Sequence, residues 1–203
     1  MINYQIYNIR DSIILHTKLI NENDFKKYCI QLSTDDLNLF FQIQSIQRKK
    51  EFITTRILLQ QYFNLNIILS YENKKPKLKN STFISLSHKD EELIIGINDI
   101  TPIGVDIEKI SNKISKIKHK FCDAKELFEL NNIDSNEILT MYWCAKEATY
   151  KCLTNQTNIY LKDITVKLKT KAIGQSENSD LKYRLDFLKI NEQFVICHAQ
   201  KQR

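Results

Sequence analysis

Apolar and polar residues follow two rhythms along this chain. Residues 1–9 set Ile2, Tyr4 and Ile6 against polar neighbours, a period of two that predicts a strand, with a second over 12–15. Ser33 followed by Asp36 has the form of a helix start leading into Leu37, Phe40 and Phe41. The spacing of Phe52, Leu59 and Phe63 predicts a longer helix over 46–63, with Arg48, Lys49 and Lys50 crowded into its first turns. Residues 71–79 read as a polar loop, and 83–87 and 93–97 as strands joined by a hairpin loop at 89–92. A turn at 99–102 precedes a strand over 103–108. Ile110, Ile114, Ile117 and Phe121 then recur at helical spacing behind Ser111 as cap. Asp123 and Glu126 have the spacing of a capping box for a short helix to about Asn131, and Asp134 opens a long helix to Leu153. The tail predicts three strands, at 164–168, 181–187 and 194–199, with 170–180 as a polar loop.

Two of these elements carry chemistry. On the strand over 103–108, Ile103, Val105 and Ile107 share one face, and Gly104, Asp106 and Glu108 the other. Two carboxylates side by side repel unless a cation or a proton sits between them. The glycine beside them lets something approach the backbone closely. On the long helix, Ile138, Met141, Tyr142, Ala145, Thr149 and Cys152 form a mostly apolar stripe, while Trp143, Lys146, Glu147, Tyr150 and Lys151 share the other face. That second face reads either as a solvent face with a Glu147–Lys151 pair or as part of a site. If Glu147 faces Asp106 and Glu108, three hard oxygen donors converge, a set suited to Mg²⁺ with substrate phosphates. The adjacent lysines would then neutralise phosphate charge.

Composition narrows the setting. The 203 residues suffice for one large domain or two small ones, and 3 Gly with 2 Pro argue against long linkers. Thirty Lys and Arg against 24 Asp and Glu give +6, a balance that favours acidic partners without choosing among them. No zinc-finger spacing or RNA-recognition aromatic motif is present, so nucleic-acid binding is not expected. No long apolar run and no signal-peptide pattern occur, which makes a cytoplasmic, non-membrane protein the expectation. Five cysteines without C-x-x-C spacing are expected to be reduced thiols. The mix of helices and sheets suggests an α+β chain with a boundary near 100–102.

Gly104-Val105-Asp106-Ile107-Glu108, followed by Trp143-Cys144-Ala145-Lys146-Glu147-Ala148, resembles the signature of the 4′-phosphopantetheinyl transferase superfamily. More narrowly, it is similar to the surfactin-synthetase-activating type. Supporting likenesses fall in order along 48–151: a basic segment at 48–56, Lys75-Pro76 with Lys74 in place of a glycine, Ser85-Leu86-Ser87-His88, Phe121 to Glu126 as Phe-x-x-x-x-Glu, and Lys151. The resemblance implies two similar α/β halves related by a pseudo-two-fold, residues 1–101 and 102–203, in a monomer. It implies transfer of the phosphopantetheine arm of coenzyme A to a serine of an acidic apo carrier protein.

Carried over residue by residue, the resemblance makes Asp106, Glu108 and Glu147 the Mg²⁺ ligands. Glu126 matches a position that helps deprotonate the carrier serine, and Glu147 and Lys146 join it as catalytic residues. Lys146, Lys151, His88 and Arg48 match positions that meet coenzyme A phosphates, and Ser87 and Lys75 line the nucleotide end. Glu126 is equally explained as the third residue of a capping box. Lys113, Lys116, Lys118, His119 and Lys120 read as a solvated helix face or as a surface for an acidic carrier protein. A carrier-binding module of the same fold without catalysis is the competing function.

Overall fold

The computed structural model describes residues 1–65, 68–73, 75–79, 82–130, 135–153 and 158–202. In chain order its elements are β1 (Tyr4–Ile9), β2 (Ser12–Lys18), α1 (Phe25–Cys29), α2 (Thr34–Gln42), α3 (Ile46–Phe63), β3 (Leu69–Glu72) and β4 (Lys75–Leu78). There follow β5 (Phe83–Lys89), β6 (Glu92–Asn98), β7 (Ile103–Lys109), α4 (Lys113–Phe121), α5 (Ala124–Leu130) and α6 (Asn136–Cys152). The chain ends in β8 (Thr165–Leu168), β9 (Ile173–Asn178), β10 (Leu181–Ile190) and β11 (Phe194–Lys201). The fold is mixed α+β. One antiparallel sheet runs β1-β2-β6-β5, a second runs β7-β11-β10-β9-β8, and β3 and β4 form a separate ribbon. No helix among the described residues is long and apolar enough to cross a membrane.

Local signals explain the main helices. Ser45 Oγ accepts from Arg48 N at the start of α3, and Asn64, at φ 52°, turns left-handed at its end. Midway, α3 is buried all round. Ile53 and Ile57 pack with Phe40 and Tyr28 of the short helices, whereas Leu58 and Leu59 pack on Leu15, Leu93 and Ile95 of the first sheet. At α6, Ser135 Oγ accepts from Ile138 N, and Met141, Cys144, Ala145 and Ala148 cover the second sheet.

The sheets meet at their edge strands, β5 and β7, and the junction uses side chains. Ser85 Oγ accepts from Val105 N at 3.0 Å, and Ser87 Oγ accepts from Ile107 N at 3.4 Å. Two serine hydroxyls thus satisfy amides that an edge strand leaves open. Beside them Ile14, Ile94, Val105, Ile107 and Ile196 form an apolar cluster shared by both sheets. At the far side, Ser12 Oγ lies 3.0 Å from His198 Nε2, and Arg10 Nε donates to Asp186 Oδ2 at 3.2 Å.

Several expected boundaries change. The polar loop expected at 71–79 contains a strand pair, Leu69–Glu72 with Lys75–Leu78, turning through Asn73 at φ 49°; Lys74 lies outside the described residues. The hairpin loop expected at 89–92 shrinks to Asp90 and Glu91, because β5 and β6 stay paired to Lys89 and Glu92. The loop expected at 170–180 contains β9, whose inward residues Gly174, Ser176 and Asn178 are small or polar and hide the alternation. The helix expected after Ser111 begins at Lys113, with Asn112 as its cap position. Asp134, the expected start of the long helix, lies outside the described residues, and Ser135 occupies the cap position.

Gly104 has a packing role. A Cβ built there would lie 1.8 Å from Ala148 O and 2.7 Å from Cys152 N, so β7 and the backbone of α6 touch at this point. The close approach expected at the glycine is therefore made by the helix. Gly104→Ala is expected to lower stability by about 1–3 kcal/mol through overpacking, since neither backbone can step aside. Chemical denaturation would measure it, and an unchanged midpoint would contradict the contact.

Candidate functional site

Alternation along β7 turns Asp106 and Glu108 toward α6, and the four-residue step of α6 lines up Trp143, Glu147 and Lys151. Asp106 is 4% exposed. Its Oδ1 accepts from Ser87 Oγ at 2.7 Å and from Lys151 Nζ at 2.7 Å, while Oδ2 is buried without a hydrogen-bond partner among the described residues. The same Ser87 hydroxyl that accepts from β7 therefore orients the carboxylate beside it. Glu108 is held by the indole of Trp143, whose Nε1 donates to Oε1 at 3.0 Å, and by Lys89 Nζ, 2.5 Å from Oε2.

Glu147 completes an acidic neighbourhood. Burial raises its carboxyl above the usual range, and repulsion from Asp106 and Glu108 adds to the rise, with Lys151 opposing. Glu147 thus feels both carboxylates of β7. Among the described residues, however, no three His, Cys, Asp or Glu side chains gather tightly enough to hold a metal ion. Lys151 and Lys89 balance the charge instead.

Beside these acids lies a cavity of about 750 Å³, lined by Glu51 and Thr55 of α3, Lys75 of β4, His88 of β5, and Glu147 and Lys151 of α6. That size suits a nucleotide-sized ligand. Lys75 donates to Leu153 O across the cavity mouth, and burial lowers its pKa. His88 Nε2 lies 3.2 Å from Glu51 Oε2. Arg48 is exposed on the first turn of α3 and does not line the cavity.

Glu126 and Lys146 are placed elsewhere. The capping box forms as expected, with Asp123 N donating to Glu126 Oε2 at 3.0 Å and Glu126 N to Asp123 Oδ1 at 2.8 Å. Glu126 Oε1 also accepts from Val166 N at 2.9 Å. Lys146 Nζ donates to Glu126 Oε2 at 2.5 Å, Ile164 O at 2.6 Å and Leu161 O at 3.2 Å. Lys146 is 0% exposed and Glu126 1%, and neither lines the cavity. The ammonium has no hydrogen left for a phosphate. The helix face that the sequence groups as one is therefore divided, with Lys146 in the core and Glu147, Tyr150 and Lys151 lining the cavity.

Lys89 and Glu51 join the site without having been singled out by sequence. Continuing the period of two beyond Ser87 would have placed Lys89 on the face that reaches β7. The five cysteines are free thiols, and burial holds Cys122 and Cys152 up at about 12, so they are inert at neutral pH.

No curated protein matches the sequence. Residues 102–199, which contain β7, α6 and all three acids, match the family described as the 4′-phosphopantetheinyl transferase superfamily.

Proposed function

We propose that the chain transfers 4′-phosphopantetheine from coenzyme A to a serine of an apo acyl, peptidyl or aryl carrier protein. The products are holo carrier protein and adenosine 3′,5′-bisphosphate. The observation that carries this reading is the family match over 102–199, on the segment that sets Glu147 and Lys151 at the cavity. We also propose the pseudo-two-fold organisation of residues 1–101 and 102–203, a monomeric state and a cytoplasmic location. The sheet and long helix in each part support the first of these.

Asp106, Glu108 and Glu147 would hold Mg²⁺. The fit rests on the orphaned Asp106 Oδ2 and on Glu147, which is raised by burial first and then by repulsion from Asp106 and Glu108. A cation would partner the first and relieve the repulsion in the second. Bound there, Mg²⁺ would offset the charge that builds on the pyrophosphate as the serine attacks. The chain's own residues do the positioning. Ser87 and Trp143 fix the two β7 carboxylates, and Lys151 stands between Asp106 and the cavity, where it can turn to a phosphate oxygen. Lys75 and His88 add hydrogen-bond donors to the cavity lining. Glu126 and Lys146 act through structure, pinning α6 to the loop before β8.

One observation favours the non-catalytic carrier-binding alternative, namely that Lys151 and Lys89 already neutralise Asp106 and Glu108. Incubating the protein with coenzyme A, Mg²⁺ and a panel of apo carriers decides between the two. The expected result is a carrier heavier by one phosphopantetheine group, read by intact mass. Binding of a carrier with no mass change across the panel would establish the alternative.

A further inference from the structure

We propose that Lys89 is a tethered cation that a divalent metal must displace from Glu108, so that the metal binds well only together with substrate phosphates. This rests on the Mg²⁺ reading above and gives the lysine beside the acids a role in it. Alternation along β5 directs the side chain. Ser85, Ser87 and Lys89 share the face toward β7. There the two hydroxyls accept from Val105 N and Ile107 N, and Lys89 Nζ comes to 2.5 Å from Glu108 Oε2. The backbone that carries it is fixed, because Lys89 still pairs with Glu92 of β6.

The contact is one of charge. Lys89 approaches Oε2 off the direction a hydrogen bond needs, and Oε2 is buried without a hydrogen-bond partner among the described residues. Asp106 Oδ2 is in the same condition. Each β7 carboxylate therefore has one oxygen fixed by directional donors, Trp143 for Glu108 and Ser87 with Lys151 for Asp106. The other oxygen of each has none, and a hard cation takes oxygens of that kind. At Glu108 an ammonium already stands in front of it.

The acids that could divert Lys89 are engaged elsewhere. In the β5–β6 hairpin, Asp90 accepts from Lys109, Glu91 from Lys50, and Glu92 lies 2.7 Å from His16 Nε2. Lys89 is thus left to Glu108. Its side chain is 39% exposed, so water can receive the ammonium when it is pushed aside. An ammonium and a divalent cation at one carboxylate repel, which weakens the uptake of a bare metal. A metal that arrives with pyrophosphate brings negative charge with it, and that repulsion is offset.

The test is Mn²⁺ binding to the full chain, read as loss of the free-ion EPR signal, since Mn²⁺ shares the oxygen preference of Mg²⁺. Without substrate, Lys89→Met is expected to bind Mn²⁺ about tenfold or more tighter than wild type. Lys89→Arg, which keeps the charge, stays at the wild-type affinity. So does Lys109→Met, which removes a lysine paired with Asp90 instead. Coenzyme A narrows the gap between Lys89→Met and wild type by tightening wild type more. Thermal midpoints stay near wild type, because a partly exposed pair contributes little to the fold. Equal or weaker Mn²⁺ binding by Lys89→Met overturns the proposal, as does an equal gain in Lys89→Arg or a gap that coenzyme A leaves unchanged. The metal reading survives each of these if Asp106→Asn abolishes the binding. Binding that persists in Asp106→Asn, or no binding in any variant, overturns both.

Discussion

Asp106→Asn is expected to reduce transfer by at least on the order of a hundredfold while the protein stays folded. Two stability terms of similar size oppose each other at this residue. The charge-assisted bond from Lys151 is worth about 1.5–3 kcal/mol, and leaving Oδ2 buried without a partner costs about 1–3 kcal/mol. The substituted amide keeps an oxygen for Ser87 and Lys151 and leaves its NH2 buried without a partner as Oδ2 is now. The net change is therefore the weakened Lys151 bond and a thermal midpoint lower by a few degrees, with Lys151 still able to donate to Val105 O. The acids would also respond to one another. Glu147, raised by burial first and by Asp106 next, should fall back toward the usual carboxylate range. Because its folded pKa is raised, Glu147 contributes stability below its unfolded pKa and loses it as pH rises through the folded value. The variant should therefore show a smaller loss of stability over that acidic window. Transfer at the wild-type rate would remove Asp106 from the site, and a collapsed midpoint would assign it to the fold.

The sequence made some of this arrangement visible because certain signals are local. Ser45 and Asn64 bound α3, and Asp123 with Glu126 opens α5, through contacts no more than three or four residues long. The alternation of β7 likewise separates Asp106 and Glu108 from Val105 and Ile107. What escaped depends on partners distant in sequence. Glycine at 104 signalled close approach, but nothing local says that the visitor is Ala148 of α6. Strand β9 is not legible in the sequence because Ser176, which looks like a loop residue, faces inward to the Thr149 hydroxyl at 2.6 Å. Lys146 and Glu147 are neighbours on a helical projection, yet one reaches the core and the other the cavity. The 100° step between them separates their surroundings, and Lys146 is tolerated inside only because Glu126, Leu161 and Ile164 receive all its hydrogens.

That buried pair supports the sharpest test of role. Glu126→Ala is expected to cost about 3–5 kcal/mol, because it strands the Lys146 ammonium in the core and leaves Val166 N and Asp123 N without an acceptor. For a chain of this size the thermal midpoint should drop on the order of 10 °C. The double variant Glu126→Gln/Lys146→Met removes both charges at nearly constant volume, and the introduced amide oxygen can still accept from Val166 N. It should recover more than half of the lost stability, since a buried ion pair is replaceable by neutral groups of similar shape. If Glu126 acts only by holding α6, transfer recovers in step with the midpoint. A protein that regains its stability but transfers nothing would make Glu126 the proton acceptor for the carrier serine. The geometry points to the first outcome, because both oxygens of Glu126 are already committed inside a core that the cavity does not reach.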